Sequence, residues 1–379
     1  MSKRGEKFEL GAPGQRGILR VIFTLGFLYS YRIERERKNI KMSERLVVFT
    51  EREEGPVPGL DVELIQHNGG TTRYGRAVDE GDRVRLAERA EVIVVGGTPL
   101  TREFFSALPC LKGVVRLGIG VDSLDLDAAT ELGIVVANVP DFCADEVAEH
   151  ALGLILAVTR KIALADRKSR RGEWVPGMDA ILKPIRRLSG QTLGLIGLGK
   201  IGRSLARKAQ GLGLKVIAHD PHVSAEAAQA AGVPLMSLET LLPQTDILSL
   251  HVPTTAETKG MVNARTLALL KTGAILINTA RGPVVDEAAL CAALASGRLA
   301  GAGLDVLQQE PLRLPHPLTE FENVVFTCHY ASMSEESYAS MRRQVSEQTV
   351  QILRGEFPLH LVNPRVKDLP QCRLRRDNG

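Results

Sequence analysis

The sequence predicts an α/β fold of two domains, each a parallel sheet with helices on both faces. Three observations predict it. The chain has 379 residues, too many for one small core and suited to domains of roughly 100–200 residues each. From residue 45 onward, short β-branched runs alternate with helical patterns, the order that right-handed strand–helix–strand crossovers require. The alternation forms two series separated by one long helical stretch, which makes the cleft between them the default ligand site.

In the first series, Leu46–Phe49, Val92–Val95, Val114–Leu117 and Ile134–Val136 are strands because β-branched residues cluster there. Thr101–Ala107 and Leu126–Leu132 read as helices between the later strands. Asp145 to about Ala165 reads as one uninterrupted helix, too long for a simple crossover. Gly172–Gly190 is punctuated by Gly and Pro and holds the single tryptophan, Trp174. The second series has strands Thr192–Ile196, Lys215–His219, Ile247–Leu250, Ala274–Asn278, Gly303–Val306 and Val324–Thr327. Helices Ile201–Gly211, Ala264–Leu270 and Glu287–Ser296 lie between them, and a last helix runs from Ser334 to about Glu356.

The net charge of +4 at first suggests an acidic macromolecular partner. Its distribution argues otherwise. The first 41 residues hold ten Lys/Arg and four Glu, and residues 365–379 hold five Lys/Arg and two Asp. The stretch between them is net −5, so no nucleic-acid partner is expected. Residues 1–41 contain an apolar run, Val21–Tyr31, followed by a charged run, Arg32–Lys41. That run falls far short of the ~20 residues a membrane span needs, so no membrane partner is expected. The text changes at Met42 to an ordinary first strand. Residues 1–41 therefore read as an upstream extension or disordered arm before a natural start, with binding to a membrane surface or a partner as the lesser alternative, and 365–379 as a loose basic tail. The five cysteines (110, 143, 291, 328 and 372) form no C-x-x-C pair and stand at no metal spacing. They read as reduced thiols of a cytoplasmic protein without a metal.

The most specific local signal is Gly197-Leu-Gly199-Lys200-Ile201-Gly202. It follows a strand and opens a helix, the context that turns a weak glycine pattern into a dinucleotide fingerprint. Gly197 permits the tight turn, Gly199 lets the backbone approach a pyrophosphate, and Gly202 allows close helix–sheet packing. The helix N-terminus offers free amides to the phosphates. Asp220 ends the next strand, where a carboxylate accepts hydrogen bonds from ribose hydroxyls. No Arg follows it, which favours NAD; the neighbouring His222 leaves NADP open.

Ligands of open α/β sheets bind beyond the carboxyl ends of the strands. There the sequence places Arg281, then Asp305 and Glu310, then His329. The set is chemically coherent. Hydride transfer to a ketone needs a proton donor at the carbonyl oxygen, and His suits that task. A carboxylate beside the His favours its protonated form and fixes the ring. An Arg polarises the carbonyl and grips a carboxylate in a fork of donors.

These residues carry a resemblance. Arg116-Leu-Gly-Ile-Gly-Val-Asp122, the fingerprint, Asn278-Thr-Ala-Arg-Gly-Pro-Val-Val-Asp286 and Gly303-Leu-Asp-Val-Leu-Gln-Gln-Glu-Pro311 with His329 resemble the D-isomer-specific 2-hydroxyacid dehydrogenases. That group includes phosphoglycerate dehydrogenases, hydroxypyruvate/glyoxylate reductases and the C-terminal-binding-protein corepressors. The resemblance implies two Rossmann-like domains, with an NAD-binding domain (145–331) inserted into a discontinuous flavodoxin-like substrate domain (43–144 and 332–364). It implies Arg281, Glu310 and His329 as the catalytic trio. It places Lys200 and Ile201 at the pyrophosphate, His251, Val252 and Pro253 along the adenine ribose, and Thr279, Ala280 and Asp305 at the nicotinamide. Arg116, Gly118, Ile119 and Gly120 would hold the substrate carboxylate, and the long helix would build a homodimer.

Three departures refine the implied activity. Cys328 stands where the family usually has Pro before the catalytic His, which loosens the backbone restraint there. Ser332 stands where the corepressors carry Trp, which argues against that subgroup and against bulky hydrophobic substrates. The chain carries no long segment after Pro364, which argues against serine feedback. The expected function is NAD-dependent hydride transfer to and from a small 2-keto/2-hydroxy acid, such as 3-phosphoglycerate or hydroxypyruvate/glyoxylate. The alternative from another class is an NAD(H)-sensing, corepressor-like binding protein.

Overall fold

The computed structural model describes residues 45–50, 59–77, 79–177, 179 and 182–375. It contains two parallel sheets, and the expectations for the N-terminal extension lie outside the described residues. The first sheet holds β1 (Arg45–Phe49), β2 (Gly70–Tyr74), β3 (Ala90–Val95), β4 (Gly113–Arg116) and β5 (Val135–Ala137) in the order 2-1-3-4-5. That is the flavodoxin-like order, with its switch point between β1 and β3. Along β1 and β3, Val47, Phe49, Val92 and Val94 face one apolar cluster, and Val48, Ile93 and Val95 face the other. Both faces are therefore covered, as a parallel sheet requires. Helices α1 (Val62–His67), α2 (Glu80–Leu86), α3 (Arg102–Ser106) and α4 (Leu126–Glu131) belong to this unit. The caps of α3 are those the sequence implies: the Thr101 side chain accepts from the Phe104 amide, and Ala107 closes the helix.

Two helices, α5 (Ala144–Thr159) and α6 (Ile162–Arg170), lead to the second unit. The sequence reading of one helix from Asp145 to Ala165 is thus corrected. Lys161 sits at φ 54, a left-handed conformation that ends one helix and starts the next. No Gly or Pro marks the break, so the apolar periodicity ran through it. The α5 residues Ala148, Ala151, Leu154, Ile155 and Val158 pack with Leu193, Leu195 and Ile277 of the second sheet.

The second sheet holds β6 (Thr192–Ile196), β7 (Lys215–His219), β8 (Ile247–Leu250), β9 (Ala274–Asn278), β10 (Leu299–Leu304) and β11 (Val324–Phe326). Its order is β11-β10-β9-β8-β6-β7. A parallel bridge from Ala218 to Leu235 adds a short element outside β7; counted in chain order the sheet then reads 3-2-1-4-5-6-7, the Rossmann-like 3-2-1-4-5-6 pattern with β11 as one further strand. Between the strands run α7 (Lys200–Gly211), α8 (Ala225–Ala230), α9 (Leu238–Leu241), α10 (Ala264–Leu269) and α11 (Glu287–Ala295).

The chain then returns. Helix α12 (Glu335–Leu353), opened by a Ser334/Ser337 capping box, sends Met341, Val345, Val350, Ile352 and Leu353 into the first unit's core. The segment after it also belongs there. Asn363 accepts from the Val136 amide at 2.9 Å and donates to the Ile134 carbonyl at 2.9 Å. Residues 365–375 are not the loose tail the sequence suggested. Val366, Cys372 and Leu374 are buried, and Arg373 donates to the carbonyls of Leu108, Leu111 and Leu132. Arg373 there caps carbonyls, so a charge count mistook a packed segment for a solvated one.

Candidate active site

The fingerprint turn has the shape a dinucleotide requires. Gly197 lies at φ 96, where a side chain would be strained. A Cβ at Gly199 would meet nothing within 4 Å, so its backbone is open to a ligand, and Gly199 caps the N-terminus of α7. A Cβ at Gly202 would overlap the carbonyl oxygen of Gly197. Gly202 thus makes room for the turn itself, where sequence reasoning gave it the helix–sheet contact. These features fit a pyrophosphate at the α7 N-terminus.

Asp220, at the end of β7, accepts the Leu198 amide at 2.8 Å and the His222 amide at 2.9 Å. It therefore braces the fingerprint loop. Lys200 pairs with Asp141, and Lys208 pairs with Asp145 at 3.2 Å and Glu149 at 3.0 Å, which ties α7 to α5. The Asp145 carboxyl is held below its ordinary range by its hydrogen bonds from Ser204 and Lys208.

A cavity of about 1180 Å³ opens between the two sheets. Of the residues singled out in the sequence, it is lined by Arg116, Gly118, Ile119, Gly120, Ile201, His251, Val252, Pro253, Thr279, Ala280, Arg281, Asp305 and His329. Gly197, Gly199, Lys200, Gly202 and Asp220 are not among its lining residues, and Glu310 stands behind His329 beside a smaller cavity.

Each side chain is positioned by a strand end. Asn278 closes β9, accepts the Ala280 amide and donates to the Arg281 carbonyl, both at 3.0 Å. Arg281 reaches across the cleft: its Nη1 donates to the Ala280 carbonyl at 2.7 Å, and its Nε meets Asp122 at 2.9 Å. A Cβ at Gly120 would overlap the Arg281 guanidinium, so glycine is what permits that approach. In the facing loop, the Leu117 and Gly118 amides donate to the carbonyls of Val95 and Arg116. The amides of Ile119 and Gly120 donate to no partner among the described residues.

His329 follows β11 at φ 54, an uncommon conformation for a residue other than glycine. Asp305 holds it there. The Asp305 carbonyl accepts the His329 amide at 2.8 Å, and its carboxylate accepts the amides of Tyr330 and Ala331 at 3.2 and 3.1 Å. The same carboxylate accepts the Thr327 hydroxyl at 2.5 Å, and Thr327 meets His150 Nε2 at 2.9 Å. Burial lowers the His150 pKa, against an opposing pull from Asp305.

The ring of His329 turns Nδ1 to Glu310 Oε2 at 2.6 Å. Glu310 also accepts the Leu307 amide at 3.0 Å. Partial burial would raise its pKa; the His329 hydrogen bond, the Leu307 amide and the charges of His329 and Arg281 outweigh that and hold it below its ordinary value. With Nδ1 engaged, Nε2 is the nitrogen left for the cavity.

Sequence reasoning missed Asp122, His150 and Asn278 as supporting residues. Asp122 and Asn278 lay inside the quoted motifs, but their partners are long-range or around a turn. His150 had only a signal of place, a ring on the cleft-side helix. His251 is pushed down to about 4 by burial, and its Nε2 meets Ser249 at 2.9 Å. Among the described residues, no cluster of three His, Cys, Asp or Glu is placed to hold a metal, and no helix is long and apolar enough to cross a membrane.

The fold and the site define an α/β oxidoreductase that binds a dinucleotide at one sheet and faces its reacting groups toward the other. Comparisons with known proteins agree. Residues 152–331 match the family model described as "D-isomer specific 2-hydroxyacid dehydrogenase, NAD binding domain". The chain is 40% identical over 268 residues to a glyoxylate reductase of Korarchaeum cryptofilum, covering 71% of this chain and 81% of that protein. It is 39% identical over 316 residues to a D-3-phosphoglycerate dehydrogenase of Methanocaldococcus jannaschii, covering 83% of this chain and 59% of that protein. A D-lactate dehydrogenase of Aquifex aeolicus, solved with NAD and lactic acid, superposes with a TM-score of 0.73 at 30% identity, covering 84% of this chain and 99% of that one. The chain belongs to the D-isomer-specific 2-hydroxyacid dehydrogenase family, oxidoreductases that act on CH–OH groups with NAD.

Proposed function

We propose that this protein reduces a small 2-keto acid to the D-2-hydroxy acid, or runs the reverse reaction, with a substrate such as 3-phosphoglycerate or hydroxypyruvate/glyoxylate. The observation that carries this reading is the His329–Glu310 pair at 2.6 Å, set in the same cleft as Arg281. Gly197–Gly202, Asp220 and His251–Pro253 would hold NAD, whose chemistry when bound would be to supply or accept the hydride. His329 Nε2 gives a proton to the carbonyl oxygen as that oxygen gains negative charge. Glu310 stabilises the charged imidazole and keeps the ring aimed. Arg281 grips the substrate carboxylate and polarises the carbonyl, with the Ile119 and Gly120 amides as further anion donors. Leaving Asp122 for the substrate costs Arg281 one exposed ion pair, worth ~0.2–1 kcal/mol. Arg116, already donating to the Leu117 carbonyl at 2.5 Å, adds positive charge nearby.

The relatives' names favour catalysis over nucleotide sensing. In this reading the domain limits lie near residues 144 and 331, and the reaction would take place in the cytoplasm. The exposed Ile162, Trp174 and Val175, at 55%, 83% and 51% accessibility, support a homodimer built beyond α5. The test is NADH and NADPH consumption with glyoxylate, hydroxypyruvate, pyruvate and 3-phosphohydroxypyruvate. Turnover with NADH of at least one is expected. No turnover despite NADH binding would contradict the reading, and preference for NADPH would contradict the role of Asp220.

A further inference from the structure

The far side of the substrate cavity carries a cation that the reaction above does not use. Arg342, on the buried face of α12, lines the same cavity as Arg281 and His329. Its guanidinium lies 5.4 Å from the centre of the Tyr338 ring, one turn earlier on the helix. Its Nε is shut off from solvent and has no hydrogen-bond partner. Among the described residues, no carboxylate lies within ion-pair distance of it. Four aspartates line the cavity, and Asp305 accepts the amides of Tyr330 and Ala331. Asp122 pairs with Arg281, Asp125 caps α4 through the Ala128 amide, and Asp127 stands in the first turn of α4. A desolvated guanidinium donor without an acceptor is costly, and an anion supplies what it lacks.

We propose that Arg342 forms a subsite for a second anionic group at the far end of the substrate. The preferred 2-keto/2-hydroxy acid is then a dianion, with a phosphate or a carboxylate beyond the reacting carbon. The proposal rests on the 2-hydroxyacid reading and narrows it. Arg281 takes the carboxylate next to the reacting carbon, and Arg342 takes the distal group. Ser332, a small residue on the same wall, leaves room between them. Tyr338 holds the guanidinium in place by its ring face.

The test is calorimetric binding to the full chain in the presence of NAD. 3-Phosphoglycerate and D-malate are compared with D-glycerate and D-lactate, for the wild type, Arg342→Gln and Arg342→Lys. The wild type should bind at least one dianion about 10- to 100-fold more tightly than its singly charged counterpart. Arg342→Gln should erase that ratio and leave D-glycerate binding within about 3-fold, and Arg342→Lys should keep part of it. The better dianion tells phosphate from carboxylate. Equal binding of mono- and dianions by the wild type would overturn the subsite. So would an Arg342→Gln chain that weakens all four ligands equally while its thermal unfolding midpoint is unchanged. A dianion preference lost in Arg342→Gln, together with no turnover of the matching keto acids, would support the subsite and contradict the proposed reaction.

Discussion

Replacing Glu310 with Gln separates the charge of that side chain from its shape. Glu310 accepts two hydrogen bonds, from the Leu307 amide at 3.0 Å and from His329 Nδ1 at 2.6 Å. A glutamine keeps the size and one acceptor but loses the charge opposite the imidazole. A hydrogen bond to a charged group contributes ~1.5–3 kcal/mol. Here the side chains of His329 and Glu310 are 51% and 36% exposed, so solvent screens part of it. About 1–2 kcal/mol remains, which corresponds to about 5- to 30-fold in kcat/KM. The loss should fall on kcat, because Glu310 is not among the residues lining the main cavity. Steady-state reduction of the best 2-keto acid with NADH reads the loss and assigns it to kcat or KM. Glu310→Gln combined with His329→Ala should be no slower than His329→Ala alone. An unchanged rate for Glu310→Gln, or independent losses in the double variant, would refute the pairing.

The cleft makes two further predictions. His251 titrates near 4 in the folded chain because it is buried, against about 6.5 when exposed. The unfolded chain therefore binds the extra proton first, and stability should fall as pH drops from about 6.5 toward 4. The loss is at most ~3 kcal/mol, less because the ring stays partly accessible, and His251→Asn should flatten that slope in urea titrations. A wild-type midpoint constant across the window would contradict it. Burial, helped by Glu146 and opposed by Arg281, pushes the Cys143 thiol up to about 12, whereas Cys110 and Cys328 are exposed. Iodoacetamide at neutral pH should label Cys110 and Cys328, spare Cys143, and lower activity through Cys328 beside His329. Mass mapping in which Cys143 labels as fast as Cys328 would rule this out.

Most strands were legible because their signal is local. Thr192–Ile196, Lys215–His219, Ile247–Leu250 and Ala274–Asn278 are apolar runs bounded by turn residues, and their limits agree with the structure. Gly70–Tyr74 was missed because an edge strand with alternate residues exposed shows no apolar run. Only the end of Leu299–Leu304 was read, because two glycines dilute its β signal. The placement of Arg281, Glu310 and His329 near one cleft was legible because they follow strand ends, where such sheets bind ligands. The supports were not. Asp305 holds the backbone around His329 through four hydrogen bonds, and Asp122 meets Arg281 from 159 residues away. Arg342 carried no motif at all; only the return of α12 to the first sheet brings it to the cleft.

The central claim concerns which acid is made at this site and with which hand. The most direct measurement is chiral chromatography of the product after NADH-dependent reduction of a 2-keto acid by the full chain, with His329→Ala beside it. The account predicts the D-2-hydroxy acid from the wild type and a loss of about 10²-fold or more in the variant. An L product, a racemate, or undiminished formation by His329→Ala would contradict it.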